Sequence, residues 1–176
     1  TRLKADAIVN AANSALLGCF HPCHGCIDNA IHSAAGLQLR EACFQLMQAQ
    51  GRPEPNGRAK LTRGYNLPAS SVLHTVGPIA GGRVTGRDRA ELTACYRACL
   101  ELAAEHHLRS VAFCCISTGE FHFPNREAAQ LAVAAVTEFL QQTTSIQKVI
   151  FNVFKDADAA IYRALLGPDR SAETGA

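Results

Sequence analysis

Asp6-Ala-Ile-Val-Asn-Ala-Ala-Asn13 is a short apolar run that opens into asparagines. Such a run reads as a buried strand that delivers a polar loop at its end. Three further stretches share its design. Ser71-Val-Leu-His-Thr-Val76 closes on Gly77-Pro78, Val111 to Ile116 leads into Ser117-Thr118-Gly119, and Lys148 to Phe154 carries Asn152 near its end. Val111 to Ile116 is apolar throughout, as expected of a central parallel strand covered on both faces.

Helical segments lie between these strands. One helix is expected from Ile27 to a break at Gly36, with Asp28 and Asn29 in its first turn, where capping groups and negative charge are favoured. A second runs from Leu37 to Gln50 and stops at Gly51 and Pro53. The Gly/Pro-rich stretch from Pro53 to Gly64 is read as a surface loop, with a short strand at Ala59 to Thr62. A third helix is expected to start at Asp88, turning Leu92, Cys95, Tyr96, Cys99, Leu102 and Ala103 to one face. The fourth has Pro124 in its first turn and Ala128, Ala132, Ala135, Val136 and Phe139 toward the core. A short helix from about Ala157 to Leu166 completes the set. Strands alternating with helices predict a three-layer α/β/α sandwich with a mixed, largely parallel central sheet. Residues 1–167 are expected to form one domain, and 168–176 a fraying tail. The chain opens on Thr1 rather than Met, so residues upstream are expected.

A length of 176 residues with 48% hydrophobic content suffices for a full core. The net charge of +2 and the lack of a basic run disfavour a nucleic-acid surface. No window nears 18 uninterrupted apolar residues, which argues against a membrane-spanning helix. The eight cysteines make a poor disulfide framework: three crowd one loop, two lie four apart on a helix, and Cys114 and Cys115 are adjacent. A cytoplasmic monomer with one metal loop is the expectation.

That loop is Gly18-Cys-Phe-His-Pro-Cys-His-Gly-Cys26. Soft thiolates and imidazoles at this density suit Zn²⁺ better than a hard cation. Cys19, His24 and Cys26 have the spacing Cys-x4-His-x-Cys, and Cys23 stands as a candidate fourth ligand. Three ligands with an open position would be catalytic, and a closed set of four structural. Pro22-Cys-His-Gly-Cys26 also matches half of the zinc nucleobase-deaminase signature. The residues before Pro22 hold no His-x-Glu element, so that reading fails.

Asp28 is the acid–base candidate, and capping the following helix is its simpler role; the two can coexist. His32 reads as a packed helix residue, and His74, His106 and His107 as structural or exposed. The Ser117 to Phe121 loop can form an anion-binding nest. Asn10 and Asn13 either bond a ribose or hold the turn. Ligands in open α/β sheets sit beyond the carboxyl ends of the strands, so the loops after Asn10, Ser117 and Asn152 are expected to converge on one cleft.

The motifs Asp6 to Asn13, Asp28-Asn-Ala-Ile-His-Ser-Ala-Ala-Gly36, Gly64 to Ala69, His74-Thr-Val-Gly-Pro78 and Ile116-Ser-Thr-Gly119 occur in an order that resembles macrodomains, which bind ADP-ribose. Gly18 to Cys26 replaces that family's glycine-rich loop and is similar to the zinc-containing branch of bacterial protein-ADP-ribose hydrolases. Cys114-Cys115 and Phe121-His-Phe-Pro124 resemble that branch too. The resemblance implies that Cys19, His24 and Cys26 hold Zn²⁺ and that Asp28 and Asn13 are the catalytic residues, with Asn13 at the distal ribose. It further implies that Ser117, Thr118, Gly119, Glu120 and Phe121 wrap the diphosphate and ribose. Asn10 and Asn29 are further ligand contacts, and Asn152 and Phe154 lie near adenine. The family's adenine-recognising aspartate would lie upstream of Thr1.

The activity implied is hydrolysis of mono-ADP-ribose from modified protein side chains, ester-linked to acidic residues. Two alternatives share the cleft: a non-catalytic ADP-ribose reader braced by zinc, and an O-acyl-ADP-ribose deacylase.

Overall fold

The structure, a computed structural model, describes residues 1–142 and 144–167. The tail expected at 168–176 lies outside the described residues. Among the described residues, five strands form one sheet: β1 (Ala7–Ala11), β2 (Ala59–Arg63), β3 (Ser71–Thr75), β4 (Ser110–Phe113) and β5 (Lys148–Phe151). Their order is β2-β3-β1-β4-β5, with β2 antiparallel to β3 and the other pairs parallel. The helices among the described residues are α1 (Ile27–Ala35), α2 (Leu37–Gln50), α3 (Gly86–Glu105), α4 (Asn125–Leu140) and α5 (Asp156–Leu166).

Alternation along the strands divides the core into two layers. Ile8, Val72 and Ala112 point to one face and pack with Ile31, Ala35, Leu39 and Cys43 of α1 and α2. Ala7, Val9, Leu73, Val111 and Phe113 point to the other, against Leu92, Tyr96 and Leu100 of α3 and the alanines of α4. The α/β/α sandwich with a mixed, largely parallel sheet is thus the observed architecture.

The chain leaves β1 toward β2 and β3 on one side of the sheet, and leaves β4 toward β5 on the other. The carboxyl ends of β1 and β4 therefore mark a topological switch point, where the loops diverge and open a crevice.

Several boundaries shift for identifiable reasons. Helix α3 begins at Gly86, not Asp88, because Thr85 is its N-cap. Thr85 Oγ1 accepts from the Asp88 N–H at 3.2 Å, and Asp88 Oδ2 accepts from the Thr85 N–H at 2.7 Å. Asp88 is thus the third residue of the helix and closes a capping box with Thr85. Its fully buried face includes Leu100, whereas Leu102 packs at the edge of the core. Pro124 caps α4 from outside the first turn. Strand β4 ends at Phe113 rather than Ile116, because the chain bends outward into a turn in which Ser117 has φ 63°. Strand β5 ends at Phe151, which leaves Phe154 97% exposed. All eight cysteines are free thiols. No helix among the described residues is long and apolar enough to cross a membrane.

Candidate active site

The loops after β1, β4 and β5 enclose a cavity of about 830 Å³ at the switch point. Asn13, Cys19, His24, Cys26, Asp28 and Asn29 line one wall. Ser117, Thr118, Gly119, Glu120 and Phe121 line the opposite wall, and Asn152 and Phe154 stand at its third side. One expected contact is missing. Asn10 is fully buried and does not reach the cleft, because it lies within β1, beneath Asp28. Its amide nitrogen donates to Asp28 Oδ1 at 2.8 Å, so it supports the wall rather than forming it.

The first wall is built around the start of α1. Cys26 is the N-cap, and its Sγ accepts from the Asn29 N–H at 3.3 Å. This turn places Cys26 and Asp28 side by side on the cleft. Asn13 Nδ2 lies 3.3 Å from the Gly18 carbonyl and 3.5 Å from Asp28 Oδ2, tying the loop to the carboxylate. From α2, Arg40 donates to the Leu17 carbonyl at 2.7 Å and stacks 4.3 Å over the Phe20 ring. Arg40 carried no local sequence signal, since its role depends on α2 crossing the loop.

Cys19, His24 and Cys26 each offer one donor atom, and these atoms lie within 4.8 Å of one another. A tetrahedral zinc site with bonds of about 2.0–2.3 Å has donor–donor edges of roughly 3.6–3.8 Å, so this arrangement fits the ion. Cys19 Sγ is 3.3 Å from His24 Nδ1, and His24 Nε2 is 3.2 Å from Glu120 Oε1. A carboxylate on the remote nitrogen is the usual companion of a metal-binding imidazole. It also joins the two walls of the cleft. The two thiols respond oppositely to their surroundings. The His21 backbone N–H draws Cys19 below the ordinary thiol range, whereas burial pushes Cys26 above it, with the Cys19 thiol adding to the rise. Hydrogen bonding with Cys19, then with Glu120, raises the His24 value. Cys23 is exposed, has a left-handed backbone (φ 55°) and stands outside the cluster.

Asp28 is 4% exposed. Burial pushes its carboxyl above the ordinary range, while the Asn10 hydrogen bond and the Arg40 charge oppose the rise. A carboxylate with a raised pKa is a stronger base at the mouth of a cleft. His32 Nε2 lies 3.5 Å from Asp28 Oδ1, yet burial lowers the His32 value to about 4, with Arg40 adding to the effect, so the ring is neutral.

On the second wall, Ser117 and Gly77 approach so closely that a Cβ on Gly77 would lie 2.1 Å from Ser117 Oγ. Only glycine fits there. The turn is held by the His122 N–H on the Gly119 carbonyl at 3.0 Å and the Phe123 N–H on the Ser117 carbonyl at 2.9 Å. Thr118 Oγ1 donates to the Cys115 carbonyl at 3.1 Å, so its hydroxyl shapes the turn. Cys114, Cys115, Lys155 and Asp158 also line the cavity. Sequence reasoning did not select Lys155 or Asp158, because single charged residues after a strand carry no distinctive spacing.

A family profile described as Macro domain matches residues 9–132. A protein-ADP-ribose hydrolase of Treponema medium is 54% identical over 166 residues, covering 94% of this chain. The chain spans about 64% of the length of such curated relatives. Among solved structures, an Oceanobacillus iheyensis macrodomain with ADP superposes with a TM-score of 0.85 at 36% identity, covering 94% of this chain and 84% of the other. A Trypanosoma brucei macrodomain in complex with ADP-ribose gives 0.79 at 38% identity, covering 93% and 64%.

Proposed function

The chain belongs to the Macro domain family, and on that premise we propose that it hydrolyses mono-ADP-ribose from modified protein side chains, ester-linked to acidic residues. The observation that carries this reading is the position of Asp28. Its buried carboxylate shares one cavity of about 830 Å³ with the soft donors Cys19, His24 and Cys26 and with the turn from Ser117 to Phe121. The hydrolase names of the relatives and the ADP-ribose in the Trypanosoma brucei structure support it.

In this reading, backbone N–H groups from Ser117 to Phe121 hold the diphosphate, and Asn152 and Phe154 flank the adenine. Such anchoring orients the distal ribose toward α1. Asn13 contacts that ribose, and its link to the Gly18 carbonyl steadies the loop that carries the soft donors. Asn29 adds a polar contact from the first turn of α1. Asp28 takes a proton from the attacking group or orients it, aided by the burial that raises its basicity. Cys19, His24 and Cys26 would hold Zn²⁺, which supplies Lewis acidity or a bound water of lowered pKa.

The test compares release of ADP-ribose from a modified protein by metal-loaded and chelator-treated samples. Release from the loaded sample alone is expected. No release from either favours a reader, and unchanged release after proven zinc loss removes the metal from the reaction. A substrate carrying the same nucleotide on a small O-acyl group separates deacylation from protein de-modification.

A further inference from the structure

Beneath Asp28 lies a polar network that the proposed chemistry leaves unused. His74, on β3, is fully buried. Its Nδ1 is 3.2 Å from Asn10 Nδ2, and its Nε2 is 2.9 Å from Thr62 Oγ1. Asn10 Nδ2 also donates to Asp28 Oδ1 at 2.8 Å. The four groups therefore form a chain from the antiparallel edge strand β2, through β3 and β1, to the carboxylate on α1.

The donor inventory settles how this chain is polarised. The amide nitrogen of Asn10 has two N–H bonds and no acceptor capacity. One N–H is used on Asp28, so the other meets His74 Nδ1, which has to be a bare acceptor. A neutral imidazole then carries its proton on Nε2, where Thr62 Oγ1 accepts it, with Cys43 Sγ at 3.7 Å as a weaker neighbour. The opposite tautomer would set two donors against each other 3.2 Å apart in a site without solvent.

We infer that His74 is a positioning residue: its bare Nδ1 accepts the second Asn10 N–H and so locks the amide in the orientation that donates to Asp28, while Thr62 Oγ1 accepts the Nε2 proton. Were the amide reversed, Asn10 Oδ1 would face Asp28 Oδ1, and the carboxylate would lose the donor that fixes its rotamer. The role in turnover rests on the hydrolase reading, whereas the ring tautomer does not.

A competing interpretation of the same side chains is a second metal centre, because His32, Cys43 and His74 bring donor atoms within 4.8 Å of one another. The geometry argues against it. Both His74 nitrogens already have partners within the protein.

The tautomer is read from long-range proton–nitrogen correlations of the isotope-labelled protein at neutral pH. His74 is assigned by the signal lost in His74→Gln or, should that variant not fold, by the signal perturbed in Thr62→Val. An Nε2–H pattern is expected; an Nδ1–H pattern or an imidazolium overturns the inference. Thr62→Val, which is nearly isosteric, leaves the buried Nε2–H without its acceptor and is expected to loosen the ring and to lower kcat roughly five- to tenfold, the worth of about one hydrogen bond. ADP-ribose affinity by calorimetry should stay within about twofold, and Thr62→Ser, which returns the hydroxyl acceptor, should restore the rate. Unchanged kcat, or affinity lost in step with rate, defeats the positioning role. Absence of release from the unsubstituted protein defeats the hydrolase reading and any role in turnover with it. The tautomer measured on the same sample still decides whether His74 orients Asn10.

Discussion

Gly18 is packed directly onto the imidazole of His32: a Cβ at Gly18 would stand 2.8 Å from His32 Cγ. Its backbone also has φ +84°, in the left-handed region. The loop that carries the soft donors is therefore seated on the helix that carries Asp28 by the absence of one side chain.

Gly18→Ala is expected to destabilise the fold by about 1–3 kcal/mol through backbone strain and the clash with His32. It should also displace Cys19 and weaken zinc binding. Urea unfolding together with zinc titration checks both effects, and an unchanged zinc affinity would separate the loop from this contact.

Cys26→Ser is expected to abolish stoichiometric zinc while leaving the fold intact, because serine is itself a favoured N-cap and can accept from the Asn29 N–H. Cys23→Ser should retain one zinc per chain, since Cys23 stands apart from the cluster. Metal analysis of the two purified variants decides. Loss of zinc from Cys23→Ser would make that residue a ligand.

Glu120→Gln is expected to weaken zinc affinity by about tenfold, because His24 loses the carboxylate that orients its remote nitrogen. Competition with a chromogenic chelator measures this. An unaltered affinity would leave Glu120 as a ligand-side residue alone.

Asp28→Asn preserves the side chain's shape but removes its basicity. Release of ADP-ribose should fall by roughly a hundredfold or more, with ADP-ribose affinity nearly unchanged. Turnover near that of the unsubstituted protein would remove Asp28 from the chemistry.

Stability should fall as the solution is acidified from pH ~6.5. Burial lowers His74 to about 3, with His32 contributing, and His32 itself to about 4. Below the unfolded pKa of about 6.5, the unfolded chain takes up protons that these buried rings refuse, so acid favours unfolding. At pH ~5, 1.5 units below that value, each ring costs about 2 kcal/mol. The raised value of Asp28 acts with the opposite sign at lower pH, since the folded state then binds its proton first. Urea titrations at both pH values should show the pH-dependent loss shrinking by about 2 kcal/mol in His74→Gln. An equal loss in the variant would mean that His74 is not the group responsible.

The local elements were legible because short-range rules govern them. Helix α2 runs from Leu37 to Gln50 and stops where Gly51 adopts φ 68°, as its breaker predicts. The crowding of thiols and imidazoles from Cys19 to Cys26 marks that loop as a candidate metal site from spacing alone, with Cys23 open as a fourth ligand, and α1 starts at Ile27 as its first-turn residues suggest. Convergence of three polar loops also followed, since each succeeds a strand of one largely parallel sheet. Less visible were the exits from β4 and β5, where apolar sequence continues past the last ladder bond. Composition continues smoothly there, while the backbone turns.

What tertiary structure alone decided is which polar atoms meet. Asn10 reads locally like Asn13, a polar residue at a strand end. Pleating sends Asn10 inward, to His74 across 64 positions and to Asp28 across 18, while Asn13 remains at the cleft. Sequence period specifies the face on which a side chain lies, and hydrophobic burial specifies that the face is covered. Neither states which donor stands opposite which acceptor. That pairing depends on strand order and register, and it turns Asn10 from an expected ligand contact into the support for Asp28.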